Sequence, residues 1–556
     1  MTGPAADDEC SSPGAGQPAD NRQPREARIS RHQLTAPRED RSVVVDPPCR
    51  DLARVVAENQ ALRAAYDYDF QGRSLAELST LARSELIAAA CRYTSTYRDV
   101  DLAGRSDRLF FAGHQPQLFH PGVWIKNFAL SKLAAVHGVT PVNLVIDSDA
   151  PKSAALPVPT GSLADPHVVN VPFDRRSAGV PFEERRIADR GMFESFGRRA
   201  AEPLRPIIAN PLLDDFWPRV LTRAATTDNL GACFAQARHQ LEGDWGSSTL
   251  ELPQSVVCQS EAFAWFAVHL LARLPRLWDI YNDAVAEYRR VYRIRSANHP
   301  VPNLAAHDDW LEAPFWVWTD EAPQRRRLFA RQRGDELQLS NRGDVELSLP
   351  LATDDDISRT VEVFMALGQR GIRIRTRALT TTMFARLVAG DLFIHGIGGG
   401  KYDELTDVIA ERFFGLELPR FAVLSGTLYL PVARPSAGPD DLRRVDERLR
   451  QTRFHPERFA EGDARAIATW TAEKQRWIAE PVTTETARTR CHAIRRVNDE
   501  LQPFVARRRE SLLAERATLE HDWQARRVLA RRDYSFCFYP ELVLRDFFVD
   551  FLAPVS

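Results

Sequence analysis

A strand–helix–strand pattern constrains the fold of this chain more than any other feature of the sequence. The apolar run 109–112 stops at Gly113 and predicts a buried strand. Residues 123–137 predict a helix that Gly138 ends, and 142–146 predict a second strand. A connection of this kind joins two parallel strands. We therefore expect an α/β fold built around a parallel sheet.

The rest of the chain divides by composition into segments around this core. The tail is rich in Pro, Gly, Ser and charged residues, which is typical of disorder. The arm is charged and helical in pattern, and it predicts a hairpin of long helices. The predicted segments are a disordered tail at 1–40, an N-terminal helical segment at 41–104, the first half of the core at 105–204, an inserted helical region at 205–300, small strands and the second half of the core at 301–439, a helical arm at 440–532 and an aromatic C-terminal segment that packs on the core at 533–556.

The composition argues against several classes of protein. The net charge of −2 provides no excess of cations for a phosphate backbone, so we expect no nucleic-acid partner. No apolar run approaches the roughly 18 residues of a membrane span. The start of the chain has no leader pattern, and we expect a cytoplasmic protein without a membrane partner. The seven cysteines have no CxxC spacing, which argues against a disulfide framework or a zinc ribbon.

Lysine is rare in this chain. Of 73 basic residues only five are lysines, and the others are arginines. A lysine retained against such a bias is expected where a compact ammonium group matters, although five residues can also cluster by chance. The lysines are Lys126, Lys132, Lys152, Lys401 and Lys474.

The first candidate segment, 113–122, lies between the first predicted strand and the following helix. Ligands of open α/β sheets bind at the carboxyl ends of strands, and the start of a helix attracts anions. Histidines there can transfer protons or stabilise negative charge. The alternative is a tight loop that the histidines cap. The candidate catalytic residues are His114, Gln115 and His120, and the candidate substrate-binding residues are Gly113 and Lys126.

The second candidate segment follows the next strand. Asp147 and Asp149 are candidate catalytic residues, and Lys152 is a candidate substrate-binding residue. Two carboxylates at a strand end can orient an amine, bind hydroxyls or hold Mg²⁺ through oxygen ligands. The alternative is that an aspartate here only caps the next turn.

The third candidate segment contains four glycines after a predicted strand at 392–394. It predicts a glycine-rich loop whose N–H groups cradle an anion, or else a plain turn. The spacing does not match a Walker A loop. The candidate substrate-binding residues are His395, Gly398, Gly399, Gly400, Lys401 and Tyr402. We predict no metal site, the alternative being a site formed by the histidines at 114, 120 and 395 with one of the two aspartates.

These segments occur in the same order as in a known family. Gly-His-Gln-Pro at 113–116, the acidic strand end at 147–149 and Ile-Gly-Gly-Gly at 397–400 resemble the bacillithiol biosynthesis cysteine-adding enzymes. The resemblance extends over roughly 105–556. It implies a Rossmann-like core similar to class I nucleotidyltransferases, with inserted helices, small β-hairpins and a coiled-coil arm. It also implies an enzyme that joins cysteine to the amino group of glucosaminyl-malate. Lys401 stands where the family usually has an acid, so we expect an anionic substrate group there.

We therefore expect a ligase-like enzyme that forms a C–N bond between an amino acid, with cysteine as the candidate, and a small amine or sugar-derived acceptor. The alternatives are a nucleotide-dependent nucleotidyl or phosphoryl transferase and a non-catalytic small-molecule-binding scaffold on the same fold. The sequence does not identify a cofactor, and ATP and Mg²⁺ are the candidates. The expected partners are small-molecule substrates and a second copy of the chain bound through the helical arm.

Overall fold

The computed structural model describes residue 29 and residues 34–100, 105–296, 301–351 and 356–552 of the chain. The strands in these ranges are β1 (Ser42–Asp46), β2 (Leu109–His114), β3 (Thr140–Val145), β4 (Ala155–Gly161), β5 (Pro166–Pro172), β6 (Leu250–Pro253), β7 (Ala306–His307), β8 (Trp310–Thr319), β9 (Arg326–Arg333), β10 (Glu336–Ser340), β11 (Glu346–Pro350), β12 (Ile372–Thr376), β13 (Leu392–His395) and β14 (Ala422–Thr427). The helices are α1 (Cys49–Ala64), α2 (Leu75–Ser95), α3 (Pro121–His137), α4 (Arg190–Leu204), α5 (Leu213–Ala224), α6 (Leu230–Asp244), α7 (Gln254–Val257), α8 (Glu261–Ala272), α9 (Leu274–Tyr292), α10 (Ser358–Ala366), α11 (Ala378–Phe384), α12 (Ile397–Phe414), α13 (Pro439–Phe454), α14 (Ala464–Ala479), α15 (Thr486–Leu529) and α16 (Glu541–Leu552).

The main sheet has the strand order β1-β14-β13-β2-β3-β6. The strands from β14 to β6 are parallel to one another, and β1 pairs antiparallel with β14 at the edge. Helix α3 joins β2 to the parallel β3, which is the unit that the sequence predicts. The α/β class is therefore confirmed, with a sheet that is mixed rather than purely parallel.

Alternate side chains of β2 enter two different hydrophobic clusters. Leu109 and Phe111 belong to a cluster that includes residues of α2 and α8, whereas Phe110 and Ala112 belong to a cluster that includes residues of α3. All four are buried. Because successive side chains of a strand point to opposite faces, helices cover both faces of this strand.

The order of the strands reverses beside β2. From β2 the chain continues to β3 and β6 on one side, and it later returns to β13 and β14 on the other side. In open α/β sheets a ligand binds outside the carboxyl ends of the strands at such a reversal. Helix α3 begins very close to β14 there, since a Cβ added at Gly122 would lie 1.9 Å from the carbonyl oxygen of Gly426.

A second, antiparallel sheet has the order β11-β10-β9-β8-β12, and β7 pairs with β8. The hairpin β4–β5 forms a separate two-stranded sheet. Strands β7 to β12 lie within 301–439, where small strands are expected, whereas the β4–β5 hairpin lies within 105–204 and was not predicted. Residues 205–300 were predicted to be a helical insertion, but β6 within this range is the edge strand of the main sheet. A strand of four residues is too short to show a periodic pattern among long helices.

The predicted tail and N-terminal helical segment differ from the structure near residue 40. The Thr427 hydroxyl donates to the Pro37 carbonyl at 2.6 Å, and the Tyr429 hydroxyl donates to the Arg38 carbonyl at 2.9 Å. Strand β1 follows at once and pairs with β14 over its whole length. The prediction of disorder is therefore wrong at Pro37 and Arg38, because their carbonyl groups accept hydrogen bonds from the Thr427 side chain at the end of β14 and from the Tyr429 side chain just after it. Apart from Ile29, residues 1–33 of the predicted tail lie outside the described residues.

The C-terminal region contains the helices expected for the arm. Helix α15 has 44 residues and packs along both α13 and α14. After it, the chain returns to the core, where the Phe536 and Trp124 ring centroids lie 4.3 Å apart and those of Phe548 and Phe128 lie 4.5 Å apart. In the described part of the chain no helix is both long and apolar enough to cross a membrane.

The contact between α3 and β14 predicts a specific effect of Gly122→Ala. The added methyl group would overlap the Gly426 carbonyl, so we expect the free energy of unfolding to fall by about 2–3 kcal/mol, as overpacking does elsewhere. Gly191→Ala is the control, because Gly191 is exposed in α4 and its nearest atom to a new Cβ is 3.8 Å away. Urea denaturation measures both variants. Equal stability of the two would contradict the close approach.

Candidate functional site

A cleft of about 720 Å³ lies at the reversal of strand order. The ends of β2 and β13 and the first turns of α3 and α12 form one side of it. Residues of the antiparallel sheet form the other side. Most of the predicted site residues line this cleft, namely Gly113, His114, Gln115, His120, Lys126, Asp149, His395, Gly398 and Gly399. The others do not, namely Asp147, Lys152, Gly400, Lys401 and Tyr402.

His114 is a neutral imidazole, and one of its two ring nitrogens carries no proton. Its Nδ1 lies 3.0 Å from the Gln115 carbonyl oxygen, and since a carbonyl only accepts, Nδ1 carries the proton. Burial, followed by the charge of Lys126, lowers the pKa of His114 to about 3. In the described chain no group is hydrogen-bonded to Nε2. His114 therefore presents an unprotonated nitrogen that can accept a proton from a bound molecule.

His120 is the second histidine on this side of the cleft. It precedes α3, but its side chain makes no capping hydrogen bond, contrary to the interpretation of the segment as a capped loop. Burial and then the charge of Arg532 lower the pKa of His120 to about 4. Its buried Nδ1 has no hydrogen-bond partner among the described residues. A buried polar atom without a partner is costly, so a ligand at this position would gain a hydrogen bond.

The structure brings Gln115 and Asp149 together and keeps Asp147 apart from them. Gln115 Nε2 donates to Asp149 Oδ2 at 3.0 Å, and Arg325 donates to Asp149 Oδ1 at 2.8 Å. Asp147 instead accepts from the backbone N–H of Ser255 at 2.9 Å and from its hydroxyl. Burial and the charge of Glu183 raise the pKa of Asp147 to about 7.

Both aspartates are therefore occupied by donors of the protein. A carboxylate that accepts hydrogen bonds from an amide, a hydroxyl or a guanidinium on each oxygen offers no free pair of oxygens for a cation. The prediction that they hold Mg²⁺ together does not fit this arrangement. More generally, the described residues contain no group of three or more His, Cys, Asp or Glu side chains that could hold a metal ion, so the three histidines do not form the alternative metal site.

The predicted glycine-rich loop is the first turn of α12. The helix starts at Ile397 after the N-cap Gly396. A Cβ at Gly399 would lie 2.8 Å from His395 Nδ1, and one at Gly400 would lie 2.4 Å from Val423. Glycine is required here for close packing rather than for an unusual backbone angle. The first N–H groups of a helix lack intrahelical partners and attract negative charge, so the turn can still contribute to binding an anion.

Lys401 does not supply the expected counter-charge in the cleft. The described cleft wall does not include it, and its carbonyl accepts from the Tyr288 hydroxyl at 2.9 Å on α9. Lys152 is exposed beyond the end of β3. Residue 401 lies one helical turn beyond Ile397, about 6 Å further along the axis of α12 from the first turn that faces the cleft.

Arginines of the antiparallel sheet supply the positive charge instead. Arg325, Arg327 and Arg377 line the cleft. The buried Glu312 accepts from Arg327 at 3.1 Å and from Arg377 at 2.7 Å. The guanidinium carbons of Arg325 and Arg377 lie 4.8 and 4.3 Å from the centroid of the Trp316 ring. This arrangement holds the guanidinium groups in fixed positions at the cleft.

The lining of the cleft is strongly positive. Lys126 and Arg532 add to the three arginines, and Asp149 is the single carboxylate in the described lining. Arg532 reaches the cleft from the segment after α15, where it donates to the Ser425 hydroxyl and the Gly426 carbonyl at 3.3 Å. A cleft with this balance of charge favours an anionic ligand.

His395 is hydrogen-bonded to a buried ion pair that was not predictable from the sequence, formed by Arg386 and Asp403. Its Nε2 lies 3.0 Å from Asp403 Oδ2, and Arg386 donates to the same oxygen at 2.6 Å. Burial lowers the pKa of His395 although Asp403 opposes the shift. Arg386 and His395 hold the pKa of Asp403 well below its usual range. The ionised Asp403 carboxylate accepts a hydrogen bond from the Nε2–H group of His395, so Nδ1 of His395 is the unprotonated nitrogen.

The arginines and Trp316 were not predictable from the sequence. In a chain with so many arginines no single one stands out, and the segments that carry them lie far from β2 in the sequence. Asp403 alone directly follows the third candidate segment.

Searches of protein-family models and of curated proteins found no match to this chain. The resemblance to the cysteine-adding enzymes therefore stays a prediction.

The state of His114 predicts its behaviour in a pH titration. Because burial and Lys126 disfavour the charged form, we expect the His114 imidazole to stay neutral, with its proton on Nδ1, between about pH 8 and 5. ¹⁵N chemical shifts of the histidine side chains measure both properties, and His114→Gln identifies the signal by its loss. A His114 signal that gains a proton near pH 6.5 would contradict the structure.

Proposed function

We propose that this chain is an enzyme that binds a small anionic substrate in the cleft and forms a C–N bond, as the resemblance to the cysteine-adding enzymes implies. The observation that carries the proposal is the combination of an unprotonated His114 Nε2 with a lining in which cations outnumber the single carboxylate. A base and an anion-binding surface in one cleft are what this reaction class needs.

The geometry suggests a role for each side of the cleft. The C–N bond forms from the neutral amine, whose nitrogen loses a proton as the bond to the electrophilic carbon forms. His114 would accept a hydrogen bond from the amine on Nε2 and take this proton as the bond forms. Arg325 and Arg377 would hold the anionic substrate and stabilise negative charge that develops on oxygen. The enzyme would act mainly by positioning and by electrostatic stabilisation.

The proposal includes a Rossmann-like core. If the parallel strands are numbered along the chain from β2, their order in the sheet is 3-2-1-4-5, which is the order of the doubly wound nucleotide-binding folds. This order supports the likeness to class I nucleotidyltransferases that the resemblance implies. A coiled-coil geometry of the arm, and a homodimer formed through it, belong to the same proposal.

A nucleotide-dependent nucleotidyl or phosphoryl transferase is the second candidate. One observation favours it, because the first turn of α12 and the arginines opposite could together bind a phosphate. It ranks second because neither Asp147 nor Asp149 is arranged to hold Mg²⁺. A binding scaffold without activity remains the third candidate, and it would not need His114.

Replacement of His114 tests the proposed reaction. The wild-type chain would be incubated with cysteine and glucosaminyl-malate, with and without ATP, and the condensed product measured by mass spectrometry. We expect His114→Gln to lower kcat by about 100-fold or more, the usual contribution of a general base. His492→Gln, exposed on α15, is the matched control. Undiminished product formation by His114→Gln would contradict the assigned role.

Replacement of Arg377 tests the binding of anions independently of turnover. Malate, inorganic phosphate and ATP are the probes, and a ligand of the folded state raises the Tm. We expect at least one probe to raise the Tm of the wild-type chain. In Arg377→Gln its Kd should increase by about tenfold or more, because a charged hydrogen bond contributes about 1.5–3 kcal/mol. Arg509→Gln, exposed on α15, should bind like the wild type. The absence of any shift would favour the scaffold.

A further inference from the structure

Lys126 differs from the other buried cations of the described chain. Its side chain lies on α3 with only 3% of its surface exposed, and it lines the cleft. The single hydrogen bond of its Nζ is donated to the Gly113 carbonyl at 3.0 Å. Among the described residues it forms no ion pair with a carboxylate, whereas every other buried cation there does. Those cations are Arg185, Arg238, Arg375, Arg386 and Lys474.

Lys474 shows what an ordinary buried lysine looks like in this chain. It is equally inaccessible, and its Nζ lies 2.6 Å from Glu457 and 2.7 Å from the Phe454 carbonyl. The carboxylate compensates the cost of burying the charge. Lys126 lacks such compensation, so its burial favours the neutral amine.

The surroundings of Lys126 are positive. Burial and the charge of Arg238 lower the pKa of Lys126 to about 8. Its charge also contributes to the lowered pKa values of His114, His120 and His395, after burial in each case. The amine therefore lies among three imidazoles that are themselves unprotonated. An amine that loses its proton more readily than an ordinary lysine, beside proton acceptors at the wall of a cleft that favours anions, can act as a nucleophile.

We propose that Lys126 condenses with the carbonyl group of a small anionic aldehyde or α-keto acid bound in the cleft. This activity goes beyond the C–N ligation proposed above and does not depend on it. The Nζ lone pair attacks the carbonyl carbon and forms a C–N bond, while the carbonyl oxygen takes a proton. The carbinolamine then loses that oxygen as water and leaves an imine between Lys126 and the bound molecule. No oxidant or reductant is consumed.

The other cleft residues match this chemistry. Arg325, Arg327 and Arg377 are available for the carboxylate or phosphate of the bound molecule. The Gly113 carbonyl holds Nζ near the end of β2, next to His114. His114 Nε2 can take a proton from the attacking amine and return it to the departing oxygen, so that protons need not enter from solvent.

Reductive trapping tests the proposal. The full chain would be incubated with glyoxylate and sodium cyanoborohydride at pH 7, digested, and mapped by mass spectrometry. Only five lysines compete, so each can be quantified. At pH 7 a pKa near 8 gives about 200-fold more neutral amine than the 10.4 of an ordinary lysine. We expect Lys126 to be modified at least about tenfold faster than any other lysine, since a less basic amine is also less nucleophilic.

Two lysine variants and an uncharged aldehyde serve as controls. Lys132 lies on the same helix and is partly exposed, so Lys132→Arg should leave modification of Lys126 unchanged. Propionaldehyde, which has no charge, should modify Lys126 more slowly than glyoxylate if the cationic lining recruits the anion. Lys126→Arg, which has no amine to condense with the aldehyde, should lose the cleft modification.

The map of modified lysines in the wild-type chain tests the proposal even if Lys126→Arg fails to fold. Modification spread over the exposed lysines, with Lys126 unmodified, would overturn the proposal. Selective modification of Lys126 in a chain that makes no C–N ligation product would support this inference and contradict only the proposed function. Ligation activity without modification of Lys126 would support the proposed function and contradict this inference.

Discussion

The parallel pairing of β2 with β13 is the contact on which the rest of the structure depends. It aligns Phe110 with Leu392 and Ala112 with Ile394, although the two strands are far apart in the sequence. Because paired parallel strands end at the same edge of a sheet, the residues that follow them must meet. His114 after β2 and His395 at the end of β13 therefore line one cleft, and the helices that start beyond them direct their first turns into it.

The distribution of charge follows from this geometry. Away from the cleft, buried arginines are paired with carboxylates, as Arg238 is with Glu242 and Glu251. At the cleft the balance changes, because Glu312 is shared by two arginines and Lys126 has no carboxylate at all within the described chain. Uncompensated positive charge is costly without a ligand, and it is the feature that makes an anionic substrate the natural occupant.

Several elements could be predicted from local pattern alone. The unit from β2 through α3 to β3 has strong signals, namely an apolar run that ends at glycine and a helix that Gly138 closes in the left-handed conformation. The helices of the arm were also predictable from their charge and length. Strand β6 was not predictable, since four residues are too few to show a periodic hydrophobic pattern. The hydrogen bonds that Pro37 and Arg38 accept from Thr427 and Tyr429 were not predictable either, because local composition cannot show contacts with a distant segment.

For this protein the sequence by itself determined the α/β class and the strand ends at which a ligand can bind, because both depend on neighbours in the chain. It indicated the three cleft histidines, namely His114, His120 and His395, and it drew attention to Lys126 as one of only five lysines. Only the tertiary structure decided that Asp147 faces Ser255, that the glycine segment is helical, and that arginines of a second sheet provide the positive charge. The physical reason is that these properties depend on partners brought from distant parts of the chain, and burial then decides which groups keep their charge.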